Sequence, residues 1–399
     1  MSRTGVLQEI RMLRFEDVYD RFRGARLSAC EAAEWLGVSE RTFRRQRVRF
    51  EEEGLAGLLD RRLGKASPHR VPVDETDRVL ALYRTRYLGW PVKHFHEHLT
   101  ERHGIARSYG WTKSVLHASG LVHPAPKRSA HRKKRPRRPV PGMMLHQDGS
   151  KHLWLPALGR QIDLIVTMDD ATSELYSAFL VEEEGTDSSF RGLLETFTAP
   201  LDGPRGLPCS LYTDRGSHYF PTPEAGGKVD RTQLTQVGRA LAQLGIEHIP
   251  AYSPEARGRS ERMFGTLQGR LVRELADAAI DTVEAANRFI AAVYLPDHNR
   301  RFSVPAAEEG SAFVPLTGVE LADILCHQEE RVVGTDNTVR SQRLALQIPP
   351  SPWRPHFVKA KVRVHRYLDG KLAIFHGPRC IARFHGDGQP AEQTTHEAA

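Results

Sequence analysis

The sequence predicts a multidomain protein with all-α helix-turn-helix units at the N-terminus, an α/β core built on a mixed sheet, and a small β-barrel at the C-terminus. Three observations predict this. Apolar residues recur with a helical period up to residue 122, apolar runs alternate with helical patterns over 140–305, and strand-like alternation dominates 331–385. The 399 residues are enough for two to four domains.

Composition favours an anionic polymer as the partner. The formal net charge is +8, and the segment 123–139 holds eight Lys or Arg residues and no acid, so it accounts for the whole excess. The four cysteines are scattered singly without a CxxC pair, which predicts neither a zinc ribbon nor a disulfide framework and favours a reducing cytoplasm. The N-terminal stretch lacks the apolar centre of a signal peptide. No apolar run reaches about 18 residues, so no membrane span is predicted.

Residues 1–68 are predicted to form a helix-turn-helix DNA-binding domain. Ser28 and Glu31 suit a capping box, Gly37 suits the tight turn, and Ser39 suits the cap of a second helix. A basic second helix after a short turn fits the major groove. The alternative is a helical hairpin with a solvated arginine face. The candidate DNA contacts on this helix are Arg41, Arg44, Arg45 and Arg47.

Residues 69–122 are predicted to form a second helical domain, either another DNA-binding module or a spacer. His94 and His98 share a helix face, so a metal site is one interpretation, but the lack of a nearby cysteine favours ordinary surface histidines. The segment 123–139 is predicted to be an extended basic linker that lies along phosphates. Its candidate DNA contacts are Arg132, Lys133, Lys134 and Arg135.

The segment 140–305 is predicted to be the α/β core. Three closely spaced strands predict an antiparallel meander, and the alternation that follows predicts a mixed sheet with helices on both faces. The strands are predicted at 143–148, 161–168, 174–181, 208–213 and 246–250, and the helices at 186–198, 231–244, 257–277 and 282–295.

The C-terminal part is predicted to consist of a connector over 306–330, the small β-barrel over 331–385 and a disordered tail over 386–399. Residues 358–364 alternate apolar and basic side chains, and Asp369-Gly370 favours a hairpin turn.

Three carboxylates stand where metal chemistry can be built. Asp148 and Asp214 end predicted strands, and Glu261 opens a long helical pattern, so all three can converge in an α/β fold. Converging carboxylates repel one another by roughly 4 kcal/mol per close pair at an effective dielectric near 20. Divalent cations remove that repulsion, and oxygen ligands suit Mg²⁺.

Other carboxylates and motifs compete less well. Asp163 is interpreted as a structural ion-pair partner, and Asp169 and Asp170 as turn residues. Glu255 lies six residues before Glu261 and would face the metals only if the helix began earlier. His218 is interpreted as a DNA contact or surface residue rather than a proton carrier. Neither a P-loop nor a G-x-S-x-G elbow occurs, which argues against an ATPase or a serine hydrolase.

The ordered motifs resemble those of bacterial insertion-sequence transposases of the DDE superfamily, the branch with a retroviral-integrase-type core. The strongest pieces are the run Tyr-Thr-Asp-Arg-Gly-Ser at 212–217 and the run Tyr-Ser-Pro-Glu-Ala-Arg-Gly-Arg-Ser-Glu-Arg at 252–262, after a first Asp on an early strand. Two departures are a longer interval between Asp214 and Glu261, with an insert near 221–231, and the absence of the His/Cys zinc module of retroviral relatives.

The resemblance implies a ribonuclease H-like core in which Asp148, Asp214 and Glu261 are catalytic and hold two Mg²⁺ (or Mn²⁺) ions. It implies metal-dependent cleavage at the 3′ ends of a mobile element and strand transfer into target DNA. Terminal inverted repeats would be bound by residues 1–122, and a dimer or tetramer would act on DNA in the bacterial nucleoid. The arginines implied to contact phosphates near the cut are Arg215, Arg257, Arg259 and Arg262.

Two other functions stay open from sequence. One is a catalytically idle DNA-binding regulator derived from a transposase. The other is a nuclease of the same core fold that cleaves without strand transfer. All three acidic residues are present, which favours the transposase over the idle regulator.

Overall fold

The computed structural model describes residues 3–59, 70–124, 135–198, 205–221, 228–230, 232–252, 258–318, 320–351 and 354–391. The chain divides into two compact units, Met1–Ala81 and Leu82–Ala399. Within the described ranges, no helix has the length and apolar character needed to cross a bilayer.

The N-terminal helices follow the predicted local signals. The Ser28 side chain accepts the Glu31 N–H while Glu31 accepts the Ser28 N–H at 2.7 Å, Gly37 adopts a φ of 67°, and Ser39 accepts the N–H of Thr42. The predicted capping box, turn and second cap are therefore confirmed. A first helix, which the sequence analysis missed, packs Phe15 and Val18 against the motif. The helices are α1 (Arg3–Arg23), α2 (Ala29–Leu36), α3 (Glu40–Glu53), α4 (Val73–Thr85), α5 (Val92–Glu101) and α6 (Tyr109–Ala118).

A five-stranded mixed sheet forms the centre of the second unit, as predicted. Its order is β3-β2-β1-β4-β5, in which β1, β2 and β3 pair antiparallel while β1, β4 and β5 pair parallel. The strand β1 runs past its predicted end at 148, because its pairing with β2 continues to His152 opposite Ile162. The strands are β1 (Leu145–His152), β2 (Ile162–Asp169), β3 (Leu175–Val181), β4 (Ser210–Thr213) and β5 (Glu247–Pro250).

Helices cover both faces of this sheet. One buried cluster includes Leu164, Val166 and Leu267, and the other includes Leu145 and Phe190. The predicted two-faced packing is thereby confirmed. The helices are α7 (Thr186–Thr198), α8 (Gln236–Gln243), α9 (Gly258–Asp277), α10 (Val283–Phe289) and α11 (Leu295–Phe302), with a π-helical turn (Ile290–Tyr294) between the last two.

The C-terminal strands form two sheets that share one core. Val339 and Leu346 of the hairpin pack with Val362 and Ile374 of an antiparallel four-stranded sheet of order β11-β10-β9-β6. The strands that the structure describes do not close into a ring, so the predicted barrel is not confirmed. The elements are α12 (Leu321–Ile324), β6 (His327–Val332), β7 (Thr338–Ser341), β8 (Leu344–Gln347), β9 (Lys361–Arg366), β10 (Leu372–His376) and β11 (Arg379–Phe384).

Two local predictions for this region have different outcomes. Gly370 has a φ of 82° between β9 and β10, as the predicted hairpin turn requires. The described part of the predicted disordered tail, residues 386–391, instead turns back on β11, and the Ala391 N–H donates to the Arg383 carbonyl at 2.9 Å. The remainder of the tail lies outside the described residues.

Candidate catalytic centre

Asp148 and Asp214 are brought side by side by two parallel strands. Leu145 and His146 of β1 pair with Leu211 and Tyr212 of β4, so the same register continued by two residues sets Asp148 beside Asp214. Asp148 is 5% exposed in the middle of β1, whereas Asp214 follows the last residue of β4 and is half-buried. The Asp214 Oδ1 accepts the N–H of Gly216 at 2.8 Å, which orients this carboxylate.

A buried tyrosine lies close to both aspartates. Burial raises the pKa of the Tyr219 hydroxyl well above its usual range, and the negative charges of Glu184, Asp148 and Asp214 raise it further. The hydroxyl donates to Gln147 Oε1 at 3.1 Å. The carboxylates of Glu184, Asp148 and Asp214 therefore all lie near enough to the buried Tyr219 hydroxyl to raise its pKa.

Glu184 is a carboxylate that the sequence analysis missed. A Cβ on Gly149 would lie 2.3 Å from Glu184 Oε2, so any larger residue after Asp148 would displace this carboxylate from its position. The other oxygen, Oε1, is buried without a hydrogen-bond partner among the described residues, and it lies 3.5 Å from His218 Nε2. His218 is thus a partly buried neighbour of the site, not the surface residue that was predicted.

The position of Glu184 follows from topology. Because β3 is antiparallel to β2 and β2 is antiparallel to β1, β3 points the same way as β1 and β4. The acidic run 182–184 after β3 therefore reaches the same sheet edge as Asp214 after β4, and that run was the available signal. The Glu184 N–H donates to Asp163 Oδ2 at 2.9 Å, so Asp163 anchors this turn by a hydrogen bond.

Two contacts set the direction of α9 relative to β1. Near the start of α9, Arg259 pairs with Asp170, which also bonds His146 of β1. Farther along both elements, Gln268 donates to Ser150 at 3.2 Å. The nine-residue step along α9 rises roughly 13 Å and the four-residue step along β1 about 13 Å, so helix and strand run in the same direction.

This geometry sets Glu261 near the level of Asp148. Glu261 lies two residues after Arg259, in the first turn of α9, and is exposed. Oxygens of Asp148, Asp214 and Glu261 do not all come within 4.8 Å of one another, since the only described set of three such ligand atoms that close lies elsewhere, at His94, His98 and Glu274. The two aspartates therefore occupy matching register positions along neighbouring strands, and the glutamate lies on the adjoining helix.

Asp170 joins three segments at the edge of this site. Its carboxylate accepts from His146 and Arg135 at 2.7 Å, from the Arg138 N–H at 2.8 Å and from Arg259. Burial acts to raise the pKa of Asp170, but the hydrogen bonds from His146, Arg138 and Arg259 outweigh it and hold that pKa well below its usual range. Asp170 lies in a turn, as predicted, but the sequence did not predict that its side chain is 1% exposed and charge-paired.

The end of the basic linker is docked on the core. Besides Arg135, the Arg137 guanidinium donates to the Asp170 carbonyl at 2.9 Å and to Ser173 Oγ at 2.8 Å. Residues 135–138 are therefore held on the core, and the prediction that the linker lies along phosphates stays a prediction. Candidate contacts Arg132, Lys133 and Lys134 lie outside the described residues.

The arginines of α3 differ in their surroundings. Arg41, Arg44 and Arg45 are exposed, and Arg44 pairs with Glu40. Arg47 is half-buried, with its guanidinium 5.6 Å from the centre of the Phe22 ring. Arg47 therefore contributes to packing, while the other three face solvent.

The arginines near the candidate centre also differ. The Arg215 guanidinium lies 5.3 Å from the centre of the Tyr252 ring, and Arg262 is exposed in the first turns of α9. Arg259 is engaged with Asp170. Arg257 and the competing carboxylate Glu255 lie outside the described residues.

His94 and His98 are not surface residues. They are 2% and 4% exposed, and both contact Glu274 of α9. The interpretation as surface histidines is wrong because α5 turns this face towards α9.

Comparison with known proteins connects these features to a family. The family described as winged helix-turn helix matches residues 23–76. The protein y4bF of Sinorhizobium fredii, which is named as a transposase, is 30% identical over 360 residues, covering 90% of this chain and 77% of that protein. The chain belongs to the transposases of bacterial insertion sequences. The transposase for insertion sequence IS1202 of Streptococcus pneumoniae is 25% identical to it over 374 residues, covering 85% of this chain and 78% of that protein.

Solved structures give weaker likenesses to this transposase. A chain of the simian T-cell lymphotropic virus intasome in complex with PP2A regulatory subunit B56 gamma is 14% identical, with a TM-score of 0.32, over 79% of this chain and 99% of that one. A chain of the pre-cleavage Mos1 transpososome is 13% identical, with a TM-score of 0.23, over 73% of this chain and 96% of that one. Scores this low carry no structural argument. Family membership and the helix-turn-helix match make the transposase a DNA-binding enzyme of the nucleotidyl-transfer type.

Proposed function

We propose that this transposase is a DDE enzyme that cleaves the 3′ ends of a mobile element and joins them to target DNA. Asp148, Asp214 and Glu261 are its catalytic carboxylates. The observation that carries the proposal is the pairing of β1 with β4, which sets Asp148 beside Asp214 at one sheet edge. The strand order β3-β2-β1-β4-β5, with three antiparallel strands followed by two parallel ones, supports a ribonuclease H-like core.

Three carboxylates supply the oxygen ligands that Mg²⁺ (or Mn²⁺) prefers. We propose that they hold two such ions about 4 Å apart, the arrangement that serves an in-line phosphoryl transfer. Bound there, the ions would activate the attacking hydroxyl and stabilise the leaving oxygen of a phosphoryl transfer.

The residues of the chain have distinct tasks in this scheme. Asp148 is held rigidly in the sheet, and the Gly216 N–H fixes the orientation of Asp214. Asp170 acts as a positioning residue, because its bond to Arg259 holds the turn of α9 that carries Glu261. Arg262 and Arg215 contact DNA phosphates in this proposal.

DNA ends are bound, in this proposal, by the N-terminal helices. The α3 helix enters the major groove of the terminal inverted repeat with its exposed arginines Arg41, Arg44 and Arg45. The second helical segment and the linker extend the contact along the phosphates, and two ends are brought together by a dimer or tetramer on DNA. Arg47 supports the helix from inside.

Separate variants test the chemistry and the binding. Asp148→Asn, Asp214→Asn and Glu261→Gln should each lower cleavage and joining by at least roughly 1,000-fold, since lost charge stabilisation of about 4 kcal/mol corresponds to that factor. Binding of end DNA should stay within about twofold. Arg45→Ala should weaken end binding by about tenfold while cleavage of saturating DNA persists. Cleavage and joining are measured on labelled DNA ends, and binding by fluorescence anisotropy.

Matched controls define the outcomes. Asp281→Asn makes the same chemical change at a solvent-exposed position of the α/β domain and should leave cleavage and joining intact. Full activity of Asp148→Asn would end the proposal. Cleavage without joined products would instead identify a nuclease, and DNA binding without either reaction in the wild-type protein would identify an idle regulator.

A further inference from the structure

Three potential metal ligands meet away from the catalytic carboxylates. Helix α5 presents His94 and His98 one turn apart, and α9 presents Glu274 opposite them. The two Nε2 atoms lie 2.6 and 2.7 Å from the same atom, Glu274 Oε1. The side chains are nearly enclosed, at 3%, 5% and 13% exposure respectively.

Both imidazole rings direct their polar interactions to this one point. The Nδ1 atoms of His94 and His98 are buried and have no hydrogen-bond partner among the residues that the structure describes. Trp90 packs against both rings, with ring centres 4.3 Å from His94 and 4.9 Å from His98. The rings are thus held by apolar packing, and Nε2 is the atom each one offers.

The carboxylate is oriented from its other side. Arg102 lies 3.1 Å from Glu274 Oε2 and 2.6 Å from Asp277, and Arg86 lies 2.8 Å from Asp277. This arrangement turns Glu274 Oε1 towards the histidines and resembles the outer hydrogen bonds that orient metal ligands.

We propose that His94 Nε2, His98 Nε2 and Glu274 Oε1 form a structural site for a transition-metal ion of the Zn²⁺ class that joins α5 to α9. Two imidazoles and one carboxylate suit Zn²⁺, Co²⁺ or Ni²⁺, whereas Mg²⁺ prefers oxygen ligands alone. Metal–ligand distances near 2.0–2.1 Å require ligand atoms about 3.3 Å apart, so each Nε2 must move only about 0.6 Å away from Glu274 Oε1. Water would complete a tetrahedral set. This site is independent of the proposed catalytic carboxylates.

The test uses Co²⁺ as a visible probe on the full-length protein. To remove binding at the candidate catalytic centre, all measurements are made in an Asp148→Asn, Asp214→Asn background. That protein should bind one equivalent of Co²⁺ with the intense visible absorption of tetrahedral coordination, Zn²⁺ should displace it, and Mg²⁺ should not. Zn²⁺ should also raise the thermal midpoint. His98→Gln and Glu274→Gln should each weaken Co²⁺ binding by at least roughly 100-fold.

His117→Gln, in the same helical segment, is the control and should bind Co²⁺ as the background protein does. Circular dichroism without metal establishes whether each variant is folded. If His98→Gln unfolds, Co²⁺ binding by Glu274→Gln, which keeps the side-chain volume, tests the proposed site. Failure of the background protein to take up Co²⁺ or Zn²⁺ would overturn the proposal and identify a purely hydrogen-bonded cluster. Equal uptake by Glu274→Gln would overturn it as well.

Discussion

The balance between burial and hydrogen bonding decides which buried side chains of this transposase are charged. Asp170 and Glu274 stay ionised because hydrogen bonds from His146 and from His94 and His98, respectively, outweigh the effect of burial on their pKa. No hydrogen bond from the described residues offsets the effect of burial on the pKa of His298. Burial, reinforced by the nearby charge of Arg270, lowers the pKa of His298 to about 4. The chain therefore carries a buried imidazole that the fold requires to be neutral.

His298→Phe should make the protein less sensitive to acid. The unfolded imidazole has a pKa of about 6.5, so between pH 6.5 and 4 the unfolded state binds more protons. The contribution of His298 to stability is therefore complete above pH 6.5 and is lost as pH falls towards 4, by roughly 3 kcal/mol. Phe keeps the ring between Tyr294 and Phe302. Urea unfolding at pH 7 and pH 4.5 measures the difference, and an unchanged loss in the variant would contradict this assignment.

At the scale of elements, α9 is the helix on which the second unit is organised. It packs its apolar side on β2 and β3, carries Glu261 in its first turn, and bears Arg270 midway. Arg270 lies 2.7 Å from Glu97 of α5, which also lies 3.1 Å from Arg301 of α11. These three side chains are 11–14% exposed, so the ion pairs are shielded from water.

Glu97→Gln should destabilise the protein by about 3 kcal/mol, because it leaves the buried Arg270 without this carboxylate and removes one of the three carboxylates that pair with Arg301. Chemical unfolding should show a lower midpoint at an unchanged slope. Glu101→Gln is the matched control one turn along α5. Its carboxylate pairs with Arg301 but is 48% exposed, so its loss should cost less than about 1 kcal/mol. Equal costs for the two variants would show that burial does not set the strength of these pairs.

Local signals predicted most of the elements but missed helices α1, α11 and α12. The Ser28 capping box and the Gly37 turn depend on residues close in sequence, so the pattern that predicts them is complete within a few positions. Helix α1 carries charged residues around most of its circumference, and only its contacts with α2 and α3 bury Phe15 and Val18. The helical period of its apolar residues is therefore weak in the sequence.

At the scale of the whole molecule, charge is divided between folding and DNA binding. The linker supplied the formal excess of +8, but the guanidinium groups of Arg135 and Arg137 are engaged with Asp170 and its neighbours, whereas Arg138 bonds Asp170 through its backbone N–H. Apart from Arg138, the remaining linker cations belong to the segment 127–134. They are the ones expected to release counterions when the transposase binds DNA.

Replacing the five cations of that segment (Lys127, Arg128, Arg132, Lys133 and Lys134) with Gln should flatten the salt dependence of DNA affinity. Each lost phosphate contact removes about 0.9 from the slope of log K against log salt. The thermal midpoint should not change. Arg135→Gln is the comparison: it should lower the thermal midpoint, since Arg135 pairs with the buried Asp170. A slope equal to that of the wild-type protein would show that the segment does not lie on DNA.

The sequence by itself determined the element types, the caps, the mixed sheet and the candidate pair Asp148 and Asp214, because periodicity and turn chemistry act over a few residues. Only the tertiary structure decided the surroundings of Glu184, the charge cluster on Asp170 and the meeting of His94 with Glu274. That last pair is 180 residues apart in the chain. Which distant side chains share a buried space depends on how whole elements pack, and no local pattern records that.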